Sequence, residues 1–104
     1  MLRMPNSYWL KVHRSLTGEV VLAACDIELL GVKLRVNDGY EVCVSADFYM
    51  GRMVDWHDVK SAITEATIIN LLGNDIVDKA VSEGLVMEEA CIKVGGVKHV
   101  QLFR

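Results

Sequence analysis

Positions 20–25 read Val-Val-Leu-Ala-Ala-Cys, six apolar residues in succession with no polar alternation. A strand with one wet face alternates, whereas an unbroken apolar run suits a strand covered on both faces. Gly18 ahead of the run and the β-branched pair Val20 and Val21 favour a strand here over a short helix. The rest of the chain must then supply cover on two sides. Asp26 follows, and Ile27-Glu28-Leu29-Leu30-Gly31 suits a single helical turn with Asp26 as its N-cap and Gly31 as its stop.

With 104 residues, 52% of them hydrophobic and 24% charged, the chain is sized for one domain with a real core. Such a core needs neither disulfides nor a structural metal. The three cysteines, Cys25, Cys43 and Cys91, are odd in number, widely spaced and free of any Cys-x-x-Cys pair, which points to reduced thiols. No apolar run approaches the roughly 20 residues that span a bilayer, and the first residues lack a signal peptide's apolar stretch. The expectation is a cytoplasmic protein with no membrane partner. Residues 1–7, with the single proline Pro5, read as a leader, and residues 8–104 as the domain.

Residues 7–14 alternate, Leu10 and Val12 against Lys11 and His13, as a half-buried strand does. Residues 33–36 and 40–46 flank the turn signal Asn37-Asp38-Gly39 and read as a hairpin. Residues 47–51 form an aromatic connection. Asp55 can cap a helix whose stripe is Val59, Ala62, Ile63, Ala66 and Ile69, ending near Leu72-Gly73. Asn74 then caps a second helix, with Ile76, Val77, Ala80 and Val81 inward and Gly84 past its end. Residues 53–88, which contain this helix pair, carry seven acidic and two basic side chains against a whole-chain net charge of −3.

The chain closes on two strand-like runs around Gly95-Gly96. A two-residue loop sets Lys93 opposite Lys98, like charge against like. A three-residue loop, Gly95-Gly96-Val97, instead aligns Ala90 and Ile92 with Val100 and Leu102 and leaves Cys91, Lys93, His99 and Gln101 on the other face; that register is the expectation. The predicted fold is thus a single α+β domain. Its sheet is mainly antiparallel with about five strands, two consecutive helices pack on one face, and a C-terminal β-hairpin ends the chain.

WLKVH (9–13), LAACDIELLG (22–31), FYMG (48–51), the spaced Asn70, Gly73, Val77, Ala80 and Gly84, and GVKHVQLF (96–103) together resemble an archaeal family catalogued as domain of unknown function 424. The resemblance covers nearly the whole chain beyond the leader. It implies a small stand-alone archaeal cytosolic protein of mixed α and β structure, encoded near translation or ribosome-maturation genes. It supplies no catalytic residue.

Three kinds of site compete. Cys25 and Asp26 have the residue types of a nucleophile and its partner beside a helical turn, but burial of the thiol and capping by the carboxylate explain both without a reaction. His13, His99 and Cys91 have the chemistry of metal ligands and no recognised ligand spacing, so no metal or other cofactor is expected. The favoured site is a polar strand face: Lys11 and His13 on the first strand, Lys93, Lys98, His99 and Gln101 on the final hairpin, and Tyr49 as a stacking ring. If those strands adjoin, they form a basic face for RNA. The resulting expectation is a non-catalytic binding module attached to RNA or a ribonucleoprotein in translation, with the acidic helices free to contact a protein. A groove-reading helix is excluded by that acidity, so sequence-specific DNA binding is not expected. The alternative is a small enzyme or metal protein.

Overall fold

The computed structural model describes residues 7–104. In chain order its elements are β1 (Ser7–Arg14), β2 (Val20–Asp26), β3 (Lys33–Asn37), β4 (Tyr40–Cys43), α1 (Ala46–Tyr49), β5 (Arg52–Asp55), α2 (Trp56–Glu65), β6 (Ile68–Leu72), α3 (Asn74–Ser82), β7 (Ile92–Val94) and β8 (Val97–Phe103). Short 3-10 turns occupy Ile27–Leu29 and Glu88–Ala90. Apart from Ser7, which opens β1, the residues read as a leader lie outside the described ones.

Among the described residues the strands form one six-stranded sheet, in the order β5-β1-β2-β6-β8-β7, and a separate two-stranded sheet, β3-β4. Strand β2 runs parallel to β6, so the large sheet is mixed rather than mainly antiparallel. A parallel neighbour needs a crossover, and residues 27–67 supply it, carrying the β3–β4 hairpin, α1, β5 and α2.

The unbroken apolar run of β2 finds cover on both sides, as expected. On one face Leu22 and Ala24 join Tyr8, Leu10, Ile69, Leu71 and Val100 against Val59 and Ile63 of α2 and Ile76, Val77 and Ala80 of α3. On the other, Ala23, Cys25 and Leu72 pack under Leu34, Val44 and Tyr49, which come from the hairpin and α1.

Helix α2 begins as its residues dictate, with the Asp55 carboxylate accepting from the Asp58 amide at 3.0 Å. It ends at Glu65, well short of the expected Leu72. The remainder of the supposed helix is β6, a central strand. Ile69 lies three residues beyond Ala66 and so continues a helical stripe. Yet Ile68-Ile69-Asn70-Leu71-Leu72 is also what a strand buried on both faces looks like, and pairing with β2 and β8 decides the matter. The two longer helices therefore share a face but are separated by a strand.

The closing hairpin also departs from the expected register. Ile92 opposes His99, Lys93 opposes Lys98 and Val94 opposes Val97, leaving a two-residue loop. Gly95 (φ 57°) and Gly96 (φ 81°) both occupy the left-handed region, which is what the tight primed turn requires. The like-charge pairing is relieved sideways: Lys98 Nζ reaches Asp78 Oδ1 of α3 at 2.6 Å. A β-carbon on Gly95 would lie 2.9 Å from the Arg35 carbonyl oxygen, so this turn is also fitted beneath β3.

Candidate functional site

Cys25 is completely buried, and that burial, aided by the charges of Asp26 and Glu28, pushes its thiol up to about 12. A thiol so protonated at neutral pH is a poor nucleophile. Asp26 is 4% exposed and does not cap the turn that follows it. Instead, its two carboxylate oxygens accept from the backbone amides of Asp75 (3.0 Å) and Ile76 (2.9 Å), the first turn of α3. Burial raises this carboxyl to about 6, against the lowering effect of those two amides, with Glu28 and Asp75 adding repulsion. The cap for α3 thus comes from β2, whereas the expected cap, Asn74, uses its Oδ1 to accept from the Lys98 amide at 2.9 Å.

The predicted ligands His13, His99 and Cys91 are not brought together. Among the described residues no group of three or more His, Cys, Asp or Glu side chains is placed to hold a metal ion. His13 Nε2 lies 2.8 Å from the Phe48 carbonyl oxygen, and its ring stacks on Phe48 at 5.0 Å between centroids. Cys91 faces a hollow of about 410 Å³ between α3 and the closing hairpin. That hollow also holds Lys93, Lys98, Asp78 and Glu88.

The predicted basic face divides in two. Residues opposite each other in a ladder share a face, so the row Lys11, Ala23, Asn70, Gln101 and the row Trp9, Cys25, Leu72, His99 lie on the hairpin side. Lys93 and Lys98 lie on the helix side, a direct result of the two-residue turn. Strands β1 and β8 are also kept apart by β2 and β6. Of the seven predicted contact residues, Lys11, His13, Tyr49, His99 and Gln101 therefore belong to one side of the sheet and Lys93 and Lys98 to the other. Lys11 and His13 are partly engaged there, with Lys11 Nζ donating to the Asp47 carbonyl oxygen at 2.8 Å.

Two features occupy this hairpin side. Over the first half of β8 the β3–β4 hairpin roofs a hollow of about 290 Å³. Its aliphatic walls are Leu34, Val42, Val44, Leu72 and Val94, and its polar groups are Asn70, His99, the exposed Cys43 thiol and the Tyr49 hydroxyl, which donates to Asn70 Oδ1 at 2.6 Å. Burial lowers the His99 pKa, favouring the neutral ring. Over the second half the sheet is uncovered, and Gln101 and Phe103 are exposed beside the half-buried Asn70 and Ile68. Phe103 is 72% exposed. The sequence reading omits Asn70 and Phe103 from the site. Asn70 carries the signal that could have found it, a lone polar side chain inside the apolar run of β6.

A mixed six-stranded sheet with two helices on one face, and a hairpin-roofed hollow beside open sheet on the other, defines an α+β domain. Among the described residues, no helix is long and apolar enough to cross a membrane. Residues 13–104 match the model of the family described as "Protein of unknown function (DUF424)", and the chain belongs to that family. The fold is similar to that of an uncharacterized conserved protein from Methanopyrus kandleri known from a crystal structure. The two are 32% identical, the match covers 93% of this chain and 90% of that one, and the TM-score is 0.78. No curated protein sequence matches the chain.

Proposed function

We propose that this domain is a non-catalytic binding module that holds single-stranded RNA, alone or within a ribonucleoprotein, on the hairpin side of its sheet. The observation that carries the reading is Phe103, an aromatic ring 72% exposed in line with Gln101 and His99 on one strand face that no helix covers. An apolar ring is costly to leave in water, and a sheet-borne aromatic with polar neighbours is the means by which many domains stack an unpaired base. Of the cations on this side, Lys11 is held by the Asp47 carbonyl, and Lys33 and Arg35 lie on the outer face of the hairpin, where Glu41 opposes Arg35. The enzyme alternative has the burial of Cys25 and the capping duty of Asp26 against it.

The test is RNA retention at low salt. Binding of a short single-stranded RNA should fall about tenfold with Phe103→Ala, the order expected for one lost stacking contact. Lys93→Glu, on the opposite side, should leave it nearly unchanged. Wild-type protein that binds no single-stranded RNA at low salt, and that co-purifies with the same molecules whether or not ribonuclease is present, sinks the proposal.

A further inference from the structure

We infer that the hollow beneath the β3–β4 hairpin is a binding site for one uncharged, flat heterocycle of the nucleobase kind. This deepens the RNA reading and rests on it only for the claim that the base arrives on a strand; the site itself is argued from its walls.

Its shape comes from two β layers meeting face to face. Stacked sheets lie about 10 Å apart, so a gap left between their facing side chains is bounded by two layers, a slab shape that suits a flat ring. The volume, about 290 Å³, is near the lower limit for ligand pockets and suits one ring system with its immediate substituents. Leu34 and Val42 form the roof, and Leu72 and Val94 belong to the floor. These aliphatic surfaces suit the two faces of a ring.

The polar groups then select among flat molecules. The Tyr49 hydroxyl donates to Asn70 Oδ1, which fixes the amide and leaves its NH₂ group as donor, while the phenolic oxygen keeps lone pairs for accepting. The His99 backbone is tied into the β6 and β8 and the β7 and β8 ladders, and its side chain, as the neutral ring that burial favours, offers one donor and one acceptor. Donors and acceptors along one edge, between apolar faces, are what a nucleobase edge complements.

The lining also says what is refused. None of the lining residues carries a formal charge. A phosphate, a carboxylate or an ammonium ion would lose its water there with no counter-charge in return, so the ligand is neutral. The larger hollow beside α3 differs in this respect, since its Lys98 is already committed to Asp78.

The experiment is an NMR titration of the full chain with the four ribonucleosides, with ribose, with indole as a flat apolar control, and with a single-stranded tetranucleotide. Saturable shifts at the Asn70 side-chain amide and the His99 ring with at least one nucleoside, and none with ribose, are expected. Val42→Trp should abolish them by filling the slab from a position that is already 38% exposed. Tyr49→Phe, a milder change that frees the Asn70 amide, should weaken binding about tenfold. Indole saturating the site as well as the best nucleoside, no saturable nucleoside shift, or full binding by folded Val42→Trp protein would each overturn the inference. A nucleoside that binds where the tetranucleotide does not leaves the site standing and removes the RNA reading. Tetranucleotide binding that depends on Phe103 but never perturbs His99 does the reverse.

Discussion

At position 26 a carboxylate serves as the N-cap of a helix 49 residues further along the chain. Its removal leaves the buried Ile76 amide and the partly buried Asp75 amide without acceptors, so Asp26→Ala should destabilise the fold by about 2 kcal/mol, measured by urea denaturation. The pH dependence has a definite sign. Because burial raises this carboxyl from 3.8 to about 6, the native state holds the proton more tightly than the unfolded chain does. Its contribution to stability is therefore fully present below about pH 4 and is lost as pH rises to about 6. The stability difference between wild type and Asp26→Asn should shift against wild type across that window and then level off; a parallel course for the two proteins would refute the assignment. Gly73 completes the arrangement, with φ at 131° and a β-carbon position already occupied by the Asp26 carboxylate. Gly73→Ala should lower the urea midpoint, at a cost of at least about 2 kcal/mol. At this scale the sequence told half the truth. Asp26 was legible as a capping residue, because a short acceptor at the end of an apolar strand has few other uses, but nothing local names the helix it caps.

Among the elements, the strand where a helix is predicted changes the most. In the helical reading the inward stripe passes through Ala66 and Ile69, and Leu71 falls outside it. In the structure Leu71 is completely buried against the α2–α3 layer. Leu71→Ala should therefore cost about 3 kcal/mol of unfolding free energy, within the range for a buried leucine, where a solvent-facing helical position would cost a few tenths. The strands β1, β2, β3 and β4 and the helix α3 were legible because each carries its own period, unbroken apolar run or turn signal. Strand β6 was not, since five residues that are apolar around Asn70 fit two periods at once and only the flanking strands choose. The closing register failed for a related reason. The repulsion of Lys93 and Lys98 is visible in the sequence, while Asp78, which relieves it, belongs to another element.

For the molecule as a whole, the same two shifts redraw the candidate site. The predicted face assumed that β1 and β8 are neighbours, but inserting β6 separates them, and the tighter turn sends two lysines to the helix side. What stays together on the hairpin side is Lys11, His13, Tyr49, His99 and Gln101; Tyr49 and His99 line the hollow with Asn70, while Gln101 lies beside the exposed Phe103 on the uncovered part of the sheet. The parallel pairing of β2 with β6 also dictates an order of events. Those strands cannot meet until residues 27–67 have been gathered between them, and long-range closure of that kind is slow to form. The bonds from Asp26 to Asp75 and Ile76 span 49 and 50 residues across this junction, so they are expected to close after the strands have met. Asp26→Ala should then accelerate unfolding by close to its full equilibrium effect and leave the refolding rate nearly untouched, which stopped-flow refolding and unfolding in urea will read directly. On that outcome the carboxylate that ends β2 is a latch, fastened last and released first.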